Sequence, residues 1–176
     1  TSGNGTREAT ETSGPVGVTV VLTDSAGAAL YRQTDGSVST NTAGTLISTV
    51  TDATGLYVFN DLPAGTYAVR VPGNQFAAGA ALAGYLSSPD GSGNNADNGV
   101  GTSPTAGTSG IAGGILSTPR TFAATGAPTA EADGALPAGA PVYPDNQSDT
   151  TLDLGFYRLS VTAAVWKDDG NNAATP

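Results

Sequence analysis

The sequence predicts an all-β chain, an antiparallel β-sandwich with long Gly/Asn/Asp-rich loops. Short apolar runs alternate with a period of two. Turn residues bound nearly every run, and stretches with helical character, such as "FAAGAALAGYL", are broken by glycine before three turns accumulate. Many short strands, frequent turns and no helices are the pattern of a sandwich.

The first strand is "VGVTVVLTD". Val18, Val20 and Leu22 share one face, and Thr19, Val21 and Thr23 share the other. "DSAG" follows as a turn through Asp24 and Gly27. "AALYRQ" and "GTLISTVTD" are further strands, separated by a polar loop around Asp35 to Gly44. The strongest local signal is "TDATGLYVFNDLPAGTYAVRV". "DATG" is a turn with Gly55 free to take a positive φ. Tyr57 and Phe59 then alternate onto one face, "LPAG" turns, and Tyr67, Val69 and Val71 alternate again. These features predict an aromatic β-hairpin.

Beyond Pro72 the pattern weakens. "GILSTPRTFAAT" reads as a short edge strand, because Pro119 cannot donate to a central ladder. "PDGSGNNADNGVGTSPTAGTSG" and "TAEADGALPAGAPVYPDNQSD" are loops, and loops this long point to ion binding or partner contact. "TTLDLGFYR" is a strand with Leu152, Leu154 and Phe156 on one face. "SVTAAVWK" is the last, with Val161, Ala163 and Val165 alternating against Thr162, Ala164 and Trp166. The expected core is Val18, Val20, Leu22, Tyr57, Phe59, Tyr67, Val69, Leu152, Leu154 and Phe156.

The 176 residues suit one domain with long loops, and no apolar run approaches the ~20 residues that span a bilayer. Neither a signal peptide nor an initiator Met is visible, so a mature or excised piece is expected. Six basic against 15 acidic residues give a net charge of −9, which opposes nucleic-acid binding and attracts cations. The sequence contains no Cys, His or Met. That removes disulfides, imidazole catalysis and thiolate or imidazole metal sites, leaving oxygen-ligated cations such as calcium. No Ser-Lys or paired-carboxylate arrangement suggests catalysis, so no enzyme is expected.

"NGTREATE", "GVTVVL", "TDATGLYVF", "LPAGTYAV", "NADNGV" and "TLDLGFYR", in this order and spacing, resemble the SdrD B-like repeats of bacterial surface adhesins, in the prealbumin-like (collagen-adhesin B-type) group. The resemblance covers nearly the whole chain and implies a prealbumin/Ig-like sandwich and an extracellular, cell-surface location. One element is displaced. The family's opening Val-Trp-x-Asp strand stands here as Val165, Trp166, Lys167 and Asp168, after the closing strand. The chain therefore divides into a sandwich lacking its first strand, residues 1–159, and a displaced first strand and loop, residues 160–176. Three arrangements fit. The strand fills a neighbouring copy, folds back into its own domain, or belongs to a tandem domain only partly present. Filling between copies is the preferred expectation, with Val161, Ala163, Val165 and Trp166 as the partner-strand interface. Ser160 to Lys167 would pair beside the strand beginning at Val18 or the one ending at Phe156.

The resemblance also implies calcium at Asp168, Asn4, Glu8 and Glu11. Two further acidic clusters are Asp90 with Asn94, Asp97 and Asn98, and Asp145 with Asp149 and Asp153. Asp and Asn are equally the residues of solvated turns. Relatives that cross-link Lys to Asn through a carboxylate make Lys167 notable, but Arg70 stands near where that carboxylate would be expected. Asn4-Gly-Thr and Asn146-Gln-Ser are glycosylation sequons. The function expected is a structural repeating unit of a surface fibre or adhesin stalk, whose partners are other copies of itself. A glycan-, ice- or host-protein-binding adhesin module is the alternative.

Overall fold

A computed structural model describes residues 14–88, 99–100, 113–129 and 140–158. The chain is all-β with antiparallel pairing throughout. Among the described residues no helix is long and apolar enough to cross a membrane. Among the described residues eleven strands follow in order: β1 Thr19–Asp24, β2 Tyr31–Arg32, β3 Val38–Ser39, β4 Thr45–Leu46, β5 Ser48–Val50, β6 Gly65–Val71, β7 Leu86–Ser87, β8 Gly99–Val100, β9 Ile115–Ser117, β10 Arg120–Phe122 and β11 Phe156–Tyr157.

The main sheet has six strands in the order β5-β1-β6-β9-β8, with β10 also paired to β6. β3-β2-β4 and β11-β7 are smaller sheets. The β1–β6 pair is its centre, with Leu22 opposite Val69 and Thr23 opposite Ala68. Alternation then puts Val20, Leu22, Tyr67, Val69 and Val71 on one buried face. The other face of this pair is buried too: Val21, Thr23 and Ala68 are wholly covered. On that side the Arg70 guanidinium donates to the carbonyls of Gly27 and Gly113, both at 2.9 Å. Arg70 thus ties the turn after β1 to the start of β9.

The core faces a second layer. Tyr57, Phe59, Leu152, Leu154 and Phe156 pack against the buried cluster, as the alternation predicts, but remain partly exposed. Phe76 and Leu82 complete it from a 3-10 turn, Gly73–Phe76, and the turns after it. The arrangement is consistent with a β-sandwich, although among the described residues Leu56–Asn60 of the second layer belongs to no strand.

Two expectations are corrected, and a third holds in part. The Tyr57–Val71 hairpin does not form: Leu56–Asn60 is not a strand, and β6 takes β1, β9 and β10 as partners instead. Arg32 pulls the preceding segment toward β2 by donating to the carbonyl of Asp61 at 3.0 Å, and Asp61 itself has φ 56°. "GTLISTVTD" is not one strand. It changes sheets at Ile47, whose carbonyl accepts from Leu22 N–H while its N–H donates to the Leu30 carbonyl, both at 2.9 Å. The segment around Pro119 is an edge only in part: β9 lies between β6 and β8, whereas β10, directly after the proline, has β6 as its one neighbour among the described residues. Leu116 opposes Arg70 and Arg120 opposes Tyr67, so the β9–β10 side holds one residue more than β6. That is a bulge. Pro119 has no N–H to give, and the Ser117 hydroxyl accepts from Val69 N–H at 3.0 Å where the ladder is interrupted.

Candidate functional site

Between the two layers lies a cavity of about 840 Å3. Its floor is the inner face of β1 and β6, from Val18, Val20 and Leu22 to Tyr67, Val69 and Val71. Its roof is drawn from two segments outside the main sheet, Leu56–Leu62 and Asp149–Phe156, and Phe122, Tyr143 and Asn146 also line it. The floor side chains are 5% exposed or less. What surface the space offers therefore belongs to the roof, where Tyr57, Phe59, Leu152 and Leu154 are half-buried. Among the described residues no strand pairs with Tyr57–Asn60.

The Tyr57 hydroxyl donates to the Leu152 carbonyl at 2.5 Å. Burial pushes this phenol far above its ordinary range, and the negative charges of Asp153 and Asp149 add to the effect. Tyr57 and Phe59 meet edge to face at 6.0 Å. β11 is fastened to β7, with Phe156 opposite Ser87 and Tyr157 opposite Leu86. Arg158 seals that end, donating to the Ala83 carbonyl at 2.7 Å with its guanidinium 4.2 Å from the Tyr85 ring centre.

Asp149 is the unusual member of the wall. Its side chain is 1% exposed. Oδ1 accepts from Thr151 N–H at 2.8 Å and from the Thr151 hydroxyl at 2.6 Å. Oδ2 is buried with no hydrogen-bond partner among the described residues, and Arg120 Nε stands 3.7 Å away. Arg120 Nε instead donates to Thr151 Oγ1 at 3.2 Å. A buried carboxylate oxygen without a donor carries a desolvation penalty that only a partner relieves.

Two other Asp-x-Ser/Thr stretches form the same turn in water. Asp35 accepts from Ser37 N–H and hydroxyl, and Asp52 from Thr54 N–H and hydroxyl. These bonds, the hydroxyl one foremost, hold both carboxyls below the usual range. The stability they contribute is thus present above the ordinary Asp pKa and is lost as pH falls through the lowered one.

Among the described residues no group of three or more acidic side chains gathers to hold a metal. Of the third acidic cluster, Asp145 is exposed at the start of a 3-10 turn, and Asp149 Oδ1 accepts from the Thr151 N–H and hydroxyl. Asp168, Asn4, Glu8, Glu11, Asp90 and Asp97 lie outside the described residues, as do Val161, Ala163, Val165, Trp166 and the division at residue 160. One of the two acceptor edges named for the displaced strand is closed, because β1 is flanked by β5 and β6. β11 has β7 on one side and no second neighbour among the described residues. No family model, no curated protein and no solved structure matches this chain.

Proposed function

We propose that this chain is a non-enzymatic structural repeat of an extracellular fibre or adhesin stalk, assembled when Ser160 to Lys167 of one copy completes the sandwich of the next. The carrying observation is the roof of the cavity. Tyr57 and Phe59 of Leu56–Asn60 pack on the core, yet among the described residues this segment belongs to no strand, and β11 has β7 as its one neighbour there. An added strand would supply the missing ladder through its main chain, with alternate side chains setting register. The displaced Val-Trp-Lys-Asp sequence supports the same reading. A contact in which each copy fills the next is heterologous, so it grows a filament rather than a closed dimer.

Val165→Asp places an unpaired charge in the groove. The expected result is a monomer by light scattering and no filaments by electron microscopy, where the unaltered chain assembles with rising concentration. A chain that stays monomeric at every concentration without the substitution would sink the proposal. Calcium belongs to the proposal only at the loops carrying Asn4, Glu8, Glu11 and Asp168, and Asp90 with Asp97. A chelator should then lower the melting temperature at low ionic strength, since a ligand of the folded state stabilises it.

A second reading is favoured by the size of the cavity, which falls within the ~300–1,000 Å3 of small-molecule sites. In that case the chain is a ligand-binding adhesin module. Such a module binds its glycan or other ligand equally well with Val165→Asp, and the strand reading does not allow that if the ligand competes for the groove.

A further inference from the structure

We infer that the outer edge of β4 and β5 is a self-association edge: residues 45–50 of one copy pair antiparallel with residues 45–50 of a second copy, about a two-fold axis at Ser48. The inference goes beyond strand addition and does not rest on it, because β4 and β5 take no part in the cavity roof.

The ladder shows which side is open. Among the described residues β5 ends the main sheet with β1 as its one neighbour, and β4 ends its small sheet with β2 as its one neighbour. Ile47 N–H donates to the Leu30 carbonyl, the Ile47 carbonyl accepts from Leu22 N–H, and Thr51 N–H donates to the Val18 carbonyl, all at 2.9 Å. Odd-numbered residues thus turn their main chain toward β1 and β2. An antiparallel strand alternates in this respect. Leu46, Ser48 and Val50 therefore turn N–H and C=O outward, where no strand meets them among the described residues.

Nothing defends this edge. Thr-Leu-Ile-Ser-Thr-Val is uncharged, rich in strand formers, and free of Pro and Gly. The lysines, prolines and bulges that blunt an exposed edge are missing. Two copies carrying −9 each repel, and a neutral strip is where that repulsion is least. Val50 is 56% exposed and Val16 63%. Gly17 N–H donates to the Thr51 carbonyl at 3.0 Å, which brings Val16 to the end of the same edge.

The edge is self-complementary in one register. With Ser48 opposite Ser48 of the second copy, Leu46 falls opposite Val50 on both halves. The outward main-chain groups then meet as hydrogen-bonded pairs, about six bonds in all. Leu46 covers the exposed Val50 across the seam, and the two Ser48 hydroxyls face each other. Asp52, the first charge after the strand, falls opposite Gly44 rather than a second carboxylate. One patch meeting itself is isologous, so the contact closes at two copies. It buries less than the ~1,200 Å2 of a stable complex, so a single pair is weak. Copies joined end to end would repeat it and hold two filaments side by side.

The chain has no cysteine, which makes a cross-linking test clean. Ser48→Cys places one thiol per copy at the axis, where opposed α-carbons lie ~5.5 Å apart, within the ~4.4–6.8 Å of disulfides. It is made in the Val165→Asp chain, so that end-to-end assembly does not contribute. In a glutathione redox buffer it should form a disulfide dimer about tenfold faster than Thr40→Cys, an exposed site away from the edge. Ser48→Lys opposes two ammonium groups, and Ser48→Glu two carboxylates. Each alone should sediment as a monomer where the Val165→Asp chain dimerises, and their mixture should dimerise again. Ser48→Lys also lowers the net negative charge, so general repulsion alone predicts the opposite sign. Equal cross-linking at positions 48 and 40, or dimers that persist in both charged variants, would overturn the inference. So would slow hydrogen exchange of the Leu46, Ser48 and Val50 amides in dilute monomer, because the chain's own residues would then cover the edge. Ser48 is exposed, so its variants leave the core intact. If circular dichroism shows that Val165→Asp does not fold, the comparison of positions 48 and 40 in the otherwise unaltered chain decides alone.

Discussion

Gly114→Ala is expected to destabilise the chain by roughly 3 kcal/mol or more, enough to unfold a marginal domain. Gly114 has φ +75°, and a β-carbon there would lie 1.9 Å from the Val71 carbonyl oxygen and 2.6 Å from the Pro72 carbonyl carbon. Both obstacles are backbone at the end of β6, so no rotamer change relieves them. The positive φ alone costs about 1–2 kcal/mol in a residue with a β-carbon. Gly79→Ala separates the two effects, because Gly79 has φ +83° and nothing within 4 Å of the added carbon. Urea melts should show a small loss for Gly79→Ala and a large one for Gly114→Ala. Equal losses would mean that β9 does not enter the sheet against Val71 as described.

Leu82→Ala should cost roughly 2–5 kcal/mol, the range for emptying a buried leucine site. In a chain of this size that is a fall in melting temperature on the order of 10 °C. Leu82 is 0% exposed, although it sits among turns rather than on a strand. Its N–H donates to the Gln75 carbonyl at 2.9 Å, while Gln75 Oε1 accepts from Thr19 N–H at 2.9 Å. Phe76, one residue after Gln75, meets Phe156 edge to face at 5.6 Å. Leu82 thus anchors an irregular plug joining β1 to β11, and a void there loosens both layers. Leu82→Met conserves volume and should cost under about 1.5 kcal/mol. Indistinguishable calorimetric scans for the alanine and methionine variants would show that the plug does not carry the core.

The plug also shows where sequence ceased to be informative. Val18 to Leu22 and Tyr67 to Val71 announce their buried face because a strand repeats every two residues. Phe76 and Leu82 are six apart on turns, with no period to betray them. Turn chemistry was legible at Asp24–Gly27 and Asp52–Gly55: both turns form, and Gly55 takes the positive φ expected of it, +83°. Pairing was not. Tyr57–Phe59 and Tyr67–Val71 look like hairpin neighbours, but β6 pairs instead with the remote strands β1, β9 and β10, and Arg32 holds Asp61 aside. The site was least legible of all. Asp35, Asp52 and Asp149 share the same Asp-x-Ser/Thr sequence and the same local hydrogen bonds. Only the third is buried, and burial is what makes its second oxygen chemically significant.

The position of β6 has a consequence for how the chain is made. Its first partner, β1, precedes it, whereas β9 and β10 follow only after the long stretch from Pro72 to Gly114. At ~5–20 residues per second, a growing chain leaves one side of β6 bare for several seconds. Gly-Thr-Tyr-Ala-Val-Arg-Val is then an unprotected template for any neighbouring nascent chain. Arg70 is the one charge in that strand. A single charge within a β-prone apolar run discourages aggregation. Arg70 is therefore a gatekeeper during synthesis before its guanidinium closes on Gly27 and Gly113 in the finished sheet.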